Sequence, residues 1–231
     1  MASRNKKPAA AMRPLRKNTN RLAVLIGAGV VVAIFGAFFL VLAQQPSAPA
    51  QTAQSAPMGR SADAADYAVG SPGVGEMAPG FAMESTTGDT VDLSDYSGKS
   101  VLLYFHEGLG CQPCWDQMRD LDAASDQLAA AGVDDVLTIT SGPVDLIAQK
   151  MDDDKLASVA LADTKMDVIK EYGANDYGMM GDSRAGHSFI LVGPDGTIQW
   201  RADYGGAPDY TMYVSITDLL ADMKAAGVSG S

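Results

Sequence analysis

Both cysteines of the chain lie in one short stretch, Cys111-Gln112-Pro113-Cys114. The stretch follows the largely apolar run 100–106 and a loop that contains Gly108 and Gly110. A continuous apolar run of this length is typical of a strand that is buried on both faces. The residues after the cysteines have the pattern of a helix, so the chain must place a C-x-x-C pair where a buried strand passes into a helix.

This position favours redox chemistry. The first turn of a helix has unpaired amide N–H groups and the positive end of the helix dipole, and both favour a thiolate over a thiol. We therefore predict that Cys111 is the attacking nucleophile. Cys114 lies three residues further along the same helix face, where it can resolve a mixed disulfide without a large movement of the backbone.

Two other uses of the pair stay open. A passive disulfide is one, but a bridge across two residues constrains the unfolded chain little, so its stabilising effect is small. A zinc site is the other, with His106 and His187 as further ligands. A single C-x-x-C supplies only half of the usual ligand set, and this makes zinc the weaker alternative.

The pattern of apolar residues predicts alternating strands and helices from residue 78 to residue 227. The predicted strands lie on both sides of Gly88-Asp89 and at 100–106, 133–140, 157–163, 187–193 and 197–203; the predicted helices lie at 111–131, 144–154, 165–172 and 210–227. Pro194-Asp195-Gly196 is a turn sequence that makes the last two strands a hairpin. The sum is an α/β domain with a mixed sheet.

The N-terminal part of the chain has a different character. Residues 22–43 carry no charge, and as a helix they would extend about 33 Å, which is enough to cross the hydrocarbon core of a bilayer. Residues 1–21, which precede this segment, contain seven basic and no acidic residues. The positive-inside rule therefore predicts a cytoplasmic tail at 1–21, a transmembrane signal anchor at 22–43 and an extracytoplasmic remainder. The alternative is a signal peptide that is cleaved after Ala43.

Residues 44–77 are rich in Ala, Pro, Ser, Gln and Gly, and we predict that they form a flexible linker. The folded domain is predicted at 78–227, with a short tail at 228–231. All 28 acidic residues of the chain follow residue 43. This acidity argues against binding to nucleic acid or to anionic lipid by the outer domain, and it leaves the lipid bilayer as a partner of residues 22–43 only.

The outer domain resembles the thioredoxin-like redoxin superfamily, specifically its AhpC/TSA (peroxiredoxin) and TlpA-like branches. The residues that carry the resemblance are Ala78-Pro79, Phe81, Gly88, Leu93, Gly98-Lys99, the cysteine motif and the hairpin segment 188–200. The resemblance implies a thioredoxin-like fold, with a central mixed sheet flanked by helices, after the N-terminal transmembrane helix.

The chain departs from both branches. Peroxiredoxins have the pattern P-x-x-x-T-x-x-C, and the corresponding positions before Cys111 are Tyr104 and Gly108. Thioredoxins and TlpA-like proteins have Trp directly before the first cysteine, whereas Gly110 stands there and the tryptophan follows as Trp115. They also have a cis-proline before the late strand, where this chain has Gly186. The missing Pro and Thr favour thiol–disulfide exchange over peroxide reduction.

Other side chains are candidates for the same site. His106 ends the strand that leads to the cysteines, and the resemblance places His187 in a loop that faces them; either could stabilise a thiolate or transfer a proton. Glu107 is predicted to accept or pass protons near Cys114, or else to be an exposed loop acid. Arg184 precedes the late strand near the position of an arginine that helps peroxiredoxins bind peroxide.

The sequence thus predicts a membrane-anchored, extracytoplasmic thiol–disulfide oxidoreductase without a cofactor or metal, with peroxide reduction as a weaker variant. Its predicted partners are protein thiols or disulfides and a membrane or extracytoplasmic redox partner. Two alternatives remain. One is a copper chaperone that resembles the Sco type in its chemistry and uses Cys111, Cys114 and His187, with Met179 and Met180. The other is a redoxin scaffold without catalytic activity.

Overall fold

The structure, a computed structural model, describes residues 67–228 and 230. Within them the strands are β1 (Ala82–Glu84), β2 (Thr90–Asp92), β3 (Val101–His106), β4 (Asp135–Thr140), β5 (Val159–Ala162), β6 (Ser188–Val192) and β7 (Ile198–Asp203). The helices are α1 (Gln112–Ala123), α2 (Ser125–Ala130), α3 (Val144–Asp154), α4 (Asp167–Glu171) and α5 (Ile216–Ala225). Short 3-10 turns cover Leu93–Tyr96, Ala174–Asp176 and Gly181–Ser183.

A five-stranded mixed sheet has the order β5-β4-β3-β6-β7. Strands β3, β4 and β5 are parallel to one another, whereas β6 pairs antiparallel with both β3 and β7. Strands β1 and β2 form a separate antiparallel hairpin. The predicted mixed sheet, its late hairpin and the thioredoxin-like arrangement of strands and helices are confirmed.

The central strand β3 separates two apolar cores because its side chains alternate between the two faces of the sheet. All six residues of β3 are buried. Leu102 and Tyr104 pack with residues of α1, α3 and α5, including Trp115, Met118, Ile147, Leu219 and Met223. Leu103 and Phe105 pack on the opposite face with Ile139, Ile169, Tyr172 and Ile190. The strand that leads to the cysteines is therefore held rigidly from both sides.

The predicted helix at 111–131 is divided in the structure. Helix α1 ends at Ala123, and Ala124 (φ −101°, ψ 14°) separates it from α2. The predicted cap is confirmed, because Gly132 has a φ of 91° and the N–H of Val133 donates to the carbonyl of Leu128. The predicted C-terminal helix is shorter than expected, since residues 210–215 are not helical and the helix extends only over Ile216–Ala225.

The predicted linker extends too far toward the C-terminus. Residues 67–77, which we call the N-terminal strap, lie along β7 instead of forming part of a tether. Ala68 pairs with Asp203, Met77 pairs with Thr197, and the N–H of Gly75 donates to the carbonyl of Ile198. The strap covers the edge of the sheet, where unpaired backbone groups would otherwise face solvent. At the other end, Val228 is partly buried against the core, although we predicted a tail from that residue.

A buried ion pair fixes the strap. Arg201 and Asp203 have fully buried side chains and form a hydrogen-bonded salt bridge, with 2.8 Å between Nε and Oδ2. The guanidinium also donates to the carbonyl of Pro72 at 2.8 Å, and the carboxylate accepts from the N–H of Gly70 at 2.7 Å. Each charge therefore has partners both on its own strand and on the strap, as burial requires.

The predicted cytoplasmic tail, transmembrane segment 22–43 and first part of the linker lie outside the described residues. Among the residues that the structure does describe, none of the helices has the length and apolar character needed to span a membrane.

Candidate active site

The two cysteines form a disulfide at the N-terminus of α1, with their Cα atoms 5.3 Å apart. Cys111 is the N-cap residue, and its Sγ accepts a hydrogen bond from the N–H of Cys114 at 3.3 Å. Pro113 lies in the first turn, where its missing N–H costs nothing. The predicted position of the pair at a helix start is confirmed.

The two sulfur-bearing side chains differ in exposure. Cys111 is 6% exposed and Cys114 is completely buried. Met212, from the irregular segment before α5, belongs with them to one buried apolar cluster. Cys111 is thus the more exposed of the two cysteines. Its role as the attacking residue stays a prediction.

The loop between β3 and Cys111 has no room for a peroxiredoxin-type threonine. Gly108 occupies that position with a φ of 88°, a conformation that L side chains rarely adopt. A Cβ atom added there would lie 2.7 Å from Oγ1 of Thr140 and 3.0 Å from the carbonyl oxygen of Ser141. The carbonyl of Gly108 accepts from Nε1 of Trp115 at 3.1 Å. This loop therefore presents no side-chain hydroxyl at residue 108.

His187 is buried immediately before β6 and reaches Cys114 through a tyrosine. The hydroxyl of Tyr104 lies 3.1 Å from Nδ1 of His187 and donates to the carbonyl of Cys114 at 3.3 Å. Burial, with a smaller contribution from His106, lowers the pKa of His187 to about 3. The imidazole is consequently neutral at physiological pH.

His106 is also buried and neutral. Its ring stacks on Tyr104 and meets Trp115 edge-on, and its Nδ1 accepts from the N–H of Gly108 at 3.2 Å. Burial lowers the pKa of His106 to about 3. Neither histidine supplies a positive charge, so the groups that favour a thiolate are the amides of α1. The catalytic roles of both histidines stay predictions.

Glu107 is buried, and the alternative of an exposed loop acid is wrong. Its Oε1 accepts from the N–H of Met179 at 2.9 Å, and its backbone carbonyl accepts from the guanidinium of Arg184 at 3.3 Å. A Cβ atom on Gly110 would lie 3.2 Å from Nη1 of Arg184. Glu107 and Arg184 thus hold residues 178–184 against the loop that precedes Cys111. A role of Glu107 in proton transfer stays a prediction.

The part of the chain that the structure describes contains no cluster of three or more His, Cys, Asp or Glu side chains that could hold a metal ion. Met179 and Met180 are 59% and 53% exposed. The ligand sets considered for zinc and for copper are therefore not assembled in this conformation, in which the two cysteines are joined and His187 is engaged by Tyr104.

Two residues of the site are not among those the sequence predicts as functional. In the sequence analysis, Tyr104 is named only as the residue at the position of the peroxiredoxin proline, and Met212 is not named. A signal existed for Tyr104, since a tyrosine in a strand buried on both faces needs a partner for its hydroxyl. The approach of Met212 to the cysteines depends on the path of an irregular segment and leaves no pattern in the sequence.

A five-stranded mixed sheet with a C-x-x-C pair at the start of the helix after its central strand defines a thioredoxin-like redoxin. Solved structures agree with this class. The peroxidoxin BcpB of Mycobacterium tuberculosis superposes with a TM-score of 0.55 at 16% identity, over 66% of this chain and 96% of its own. A protein of Bacteroides thetaiotaomicron, proposed to be a protein disulfide isomerase, superposes with a TM-score of 0.50 at 21% identity, over 68% of this chain and 90% of its own. These likenesses concern the fold.

The chain belongs to the AhpC/TSA family, whose family model matches residues 74–201. It is 30% identical over 128 residues to peroxiredoxin Bcp of Escherichia coli, an alignment that covers 54% of this chain and 81% of the relative. The predicted membership in the redoxin superfamily is confirmed. The protein is thus a thiol oxidoreductase, of the kind that acts as a thiol peroxidase or by disulfide exchange.

Proposed function

We propose that this protein is a membrane-anchored, extracytoplasmic thiol–disulfide oxidoreductase that acts on protein thiols or disulfides through Cys111 and Cys114. The observation that carries the proposal is the closed C-x-x-C pair at the N-terminus of α1, with one cysteine near the surface and the other completely buried. The chain contains no other cysteine. Its redox partner would be a membrane or extracytoplasmic protein that restores the pair after each turnover.

In the reducing direction, the Cys111 thiolate attacks one sulfur of a substrate disulfide. The substrate bond breaks and its electron pair leaves with the other substrate sulfur, so that a mixed disulfide joins Cys111 to the substrate. The thiol of Cys114 then loses its proton and attacks Sγ of Cys111. This step releases the reduced substrate and closes the Cys111–Cys114 bond, and the reverse sequence oxidises a substrate dithiol.

A second candidate function is peroxide reduction by the same pair. It is supported by the family match and by the similarity to peroxiredoxin Bcp. The missing hydroxyl at Gly108 argues that this activity is slow, because rapid peroxide reduction depends on donors aimed at the peroxide oxygens. Arg184, beside the loop before Cys111, is the residue that could supply such a donor.

The order of alkylation tests the assigned roles. In the reduced full-length chain, we expect iodoacetamide at mildly acidic pH to modify Cys111 before Cys114, because Cys111 caps α1 and Cys114 is buried. Peptide mass spectrometry after short exposures gives the order. Denatured protein is the control, since unfolding removes both the helix and the burial and should equalise the two rates. Faster modification of Cys114 in the folded protein would reverse the roles.

The membrane anchor is proposed from residues 22–43 and the basic residues that precede them. We expect the full-length protein to sediment with membranes, and protease added to intact cells should remove the redoxin domain. A cytoplasmic marker protein that stays intact controls for cell lysis. Recovery of a soluble mature form that begins near Gln44 would instead establish a cleaved signal peptide.

A further inference from the structure

The backbone of Gly108 joins β3, α1 and the first cysteine in one turn. Its carbonyl accepts from the N–H of Cys111 at 3.0 Å and from Nε1 of Trp115 at 3.1 Å. Its N–H donates to Nδ1 of His106 at 3.2 Å. Both polar backbone groups of Gly108 are therefore engaged, and a side chain of α1 holds the turn that leads Cys111 to the start of that helix.

The position of Cys111 decides how well its thiolate is stabilised. Sγ of Cys111 lies at the N-cap of α1 and accepts from the N–H of Cys114 at 3.3 Å. A hydrogen bond to an anion is stronger than one to a neutral acceptor, and the effect of the helix dipole falls off within the first turn. A small displacement of the turn would therefore reduce the fraction of Cys111 that is thiolate at a given pH.

Trp115 is itself held by contacts on two elements. It is completely buried and meets the ring of His106 on β3 edge-on, with the ring centroids 5.2 Å apart. Nζ of Lys150, on α3, lies 5.6 Å from the centroid of the Trp115 ring, and Asp154 pairs with this ammonium at 2.7 Å. A cation over the face of an indole is attracted to the ring and draws electron density from it. The indole N–H thereby becomes a stronger donor to the carbonyl of Gly108.

We propose that Trp115 is a positioning residue of the redox site, which holds the turn at Gly108 and thereby keeps Sγ of Cys111 aligned with the amides of α1. Lys150 supports this role through the indole ring. The proposal rests on the proposed function, and it gives a physical reason for a tryptophan that follows the cysteine pair. Because Trp115 acts through the turn, its replacement should change the thiolate fraction of Cys111 and leave the chemistry of exchange unaltered.

Charged and titratable side chains lie on the elements around this turn: His106, Glu107, Asp116, Lys150, Asp154, Arg184 and His187. Burial lowers the pKa of both histidines to about 3, so they are neutral. Glu107 and Arg184 are engaged in hydrogen bonds, and Asp116 forms an ion pair with Arg119. A substitution at Trp115 leaves all of these groups in place, so a change in the pH dependence of Cys111 then reports on the turn.

The test is the pH dependence of Cys111 alkylation by iodoacetamide in the reduced full-length chain, read by peptide mass spectrometry. Trp115→Phe keeps an aromatic ring but loses the N–H, so the midpoint of alkylation should move to higher pH. Below the midpoint the rate should fall about threefold, because the higher nucleophilicity of a less stabilised thiolate offsets part of its lower population. Well above both midpoints the variant should react at least as fast as the natural chain.

Trp200→Phe is the matched control for the loss of a buried indole N–H. Trp200 lies on β7, is 1% exposed and donates from Nε1 to the hydroxyl of Tyr67 at 3.2 Å. Urea unfolding should show that both variants are destabilised, since each leaves a hydrogen-bond acceptor without its donor. Only Trp115→Phe should change the pH midpoint of Cys111, and a shift of equal size in Trp200→Phe would overturn the proposal.

Lys150→Met tests the same contact without a change in the core, because the Lys150 side chain is 24% exposed. It should move the midpoint in the same direction by a smaller amount, and Lys150→Arg, which retains the cation, should restore it. Lys99→Met is the control for the lost charge. Lys99 also lies 5.6 Å over an aromatic ring, that of Tyr96, and pairs with Asp135, but it precedes β3, whereas the cysteines follow that strand. It should leave the midpoint unchanged.

The outcomes separate the two proposals. If the reduced natural chain does not exchange with a disulfide-containing protein, the proposed function is wrong, whatever the alkylation shows. If exchange occurs but Trp115→Phe and Lys150→Met both keep the natural midpoint, Trp115 is not a positioning residue. The expected result is a midpoint that rises in these two variants and not in their controls, together with slower exchange at mildly acidic pH.

Discussion

Cys111→Ser is expected to abolish thiol–disulfide exchange, and Cys114→Ser is expected to accumulate mixed disulfides with substrate. The first variant lacks the nucleophile that the N-terminus of α1 favours as a thiolate. In the second variant Cys111 can still attack a substrate disulfide. The variant lacks the sulfur of residue 114, whose Cα atom lies 5.3 Å from that of Cys111 and which would otherwise close the disulfide and release the substrate. The two substitutions should therefore produce different chemical end points.

The measurement is mass spectrometry of the full-length variants after incubation with a disulfide-containing protein, without reductant. Because the chain has two cysteines, any adduct of Cys114→Ser must involve Cys111. A reductant should release the adduct, which distinguishes a mixed disulfide from other modifications. Adducts on Cys114 in the Cys111→Ser variant, with none in the other variant, would assign the attack to the buried residue and contradict the account.

Removal of the charge of Asp203 is expected to destabilise the domain strongly. Arg201 and Asp203 are fully buried, so Asp203→Asn leaves the guanidinium without its counter-charge in the interior. Breaking a buried pair in this way costs about 3–5 kcal/mol. The carboxylate also accepts from the N–H of Gly70, so the N-terminal strap should loosen together with β7.

Urea unfolding of the full-length chain, followed by tryptophan fluorescence, measures this loss as a lower midpoint. Asp135→Asn is the matched control, because Asp135 also forms a salt bridge, with Lys99, but the two side chains are 37% and 52% exposed. An exposed pair of this kind contributes no more than about 1 kcal/mol. Equal midpoints for the two variants would show that the strap is not held by the buried pair.

The sheet could be predicted because its strands carry their signals locally. The apolar run of β3, the turn Pro194-Asp195-Gly196 and the glycine that ends α2 each restrict the backbone without reference to distant residues. The division of the first helix at Ala124 had no such signal, since neither Gly nor Pro stands there. The strap was missed for a related reason. Its composition is that of a linker, and it is ordered by backbone pairing with β7 more than a hundred residues later, as the contact of Gly70 with Asp203 shows.

As with the fold, the part of the site that depends on local sequence could be predicted, and the part that depends on distant contacts could not. The cysteine pair combines a local motif with a helix start, and its position is as expected. His106, Glu107 and His187 were selected for their chemistry, but their surroundings depend on contacts across the fold. His187 meets Tyr104, which is 83 positions away, and Glu107 meets Met179, which is 72 positions away. Burial then makes both histidines neutral by lowering their pKa values to about 3, and composition alone could not indicate this.

The central claim is that the pair exchanges with protein disulfides in preference to peroxide. Stopped-flow oxidation of the reduced full-length chain tests it directly, with Trp115, next to Cys114, as the fluorescent reporter. A disulfide-containing protein and hydrogen peroxide are supplied separately at equal concentration and then together. We expect the disulfide to oxidise the pair faster and to dominate the mixture, because the loop at Gly108 presents no hydroxyl donor for peroxide. Faster oxidation by peroxide, followed by closure of the Cys111–Cys114 bond, would contradict this claim. Peroxide reduction would then be the main activity of the protein.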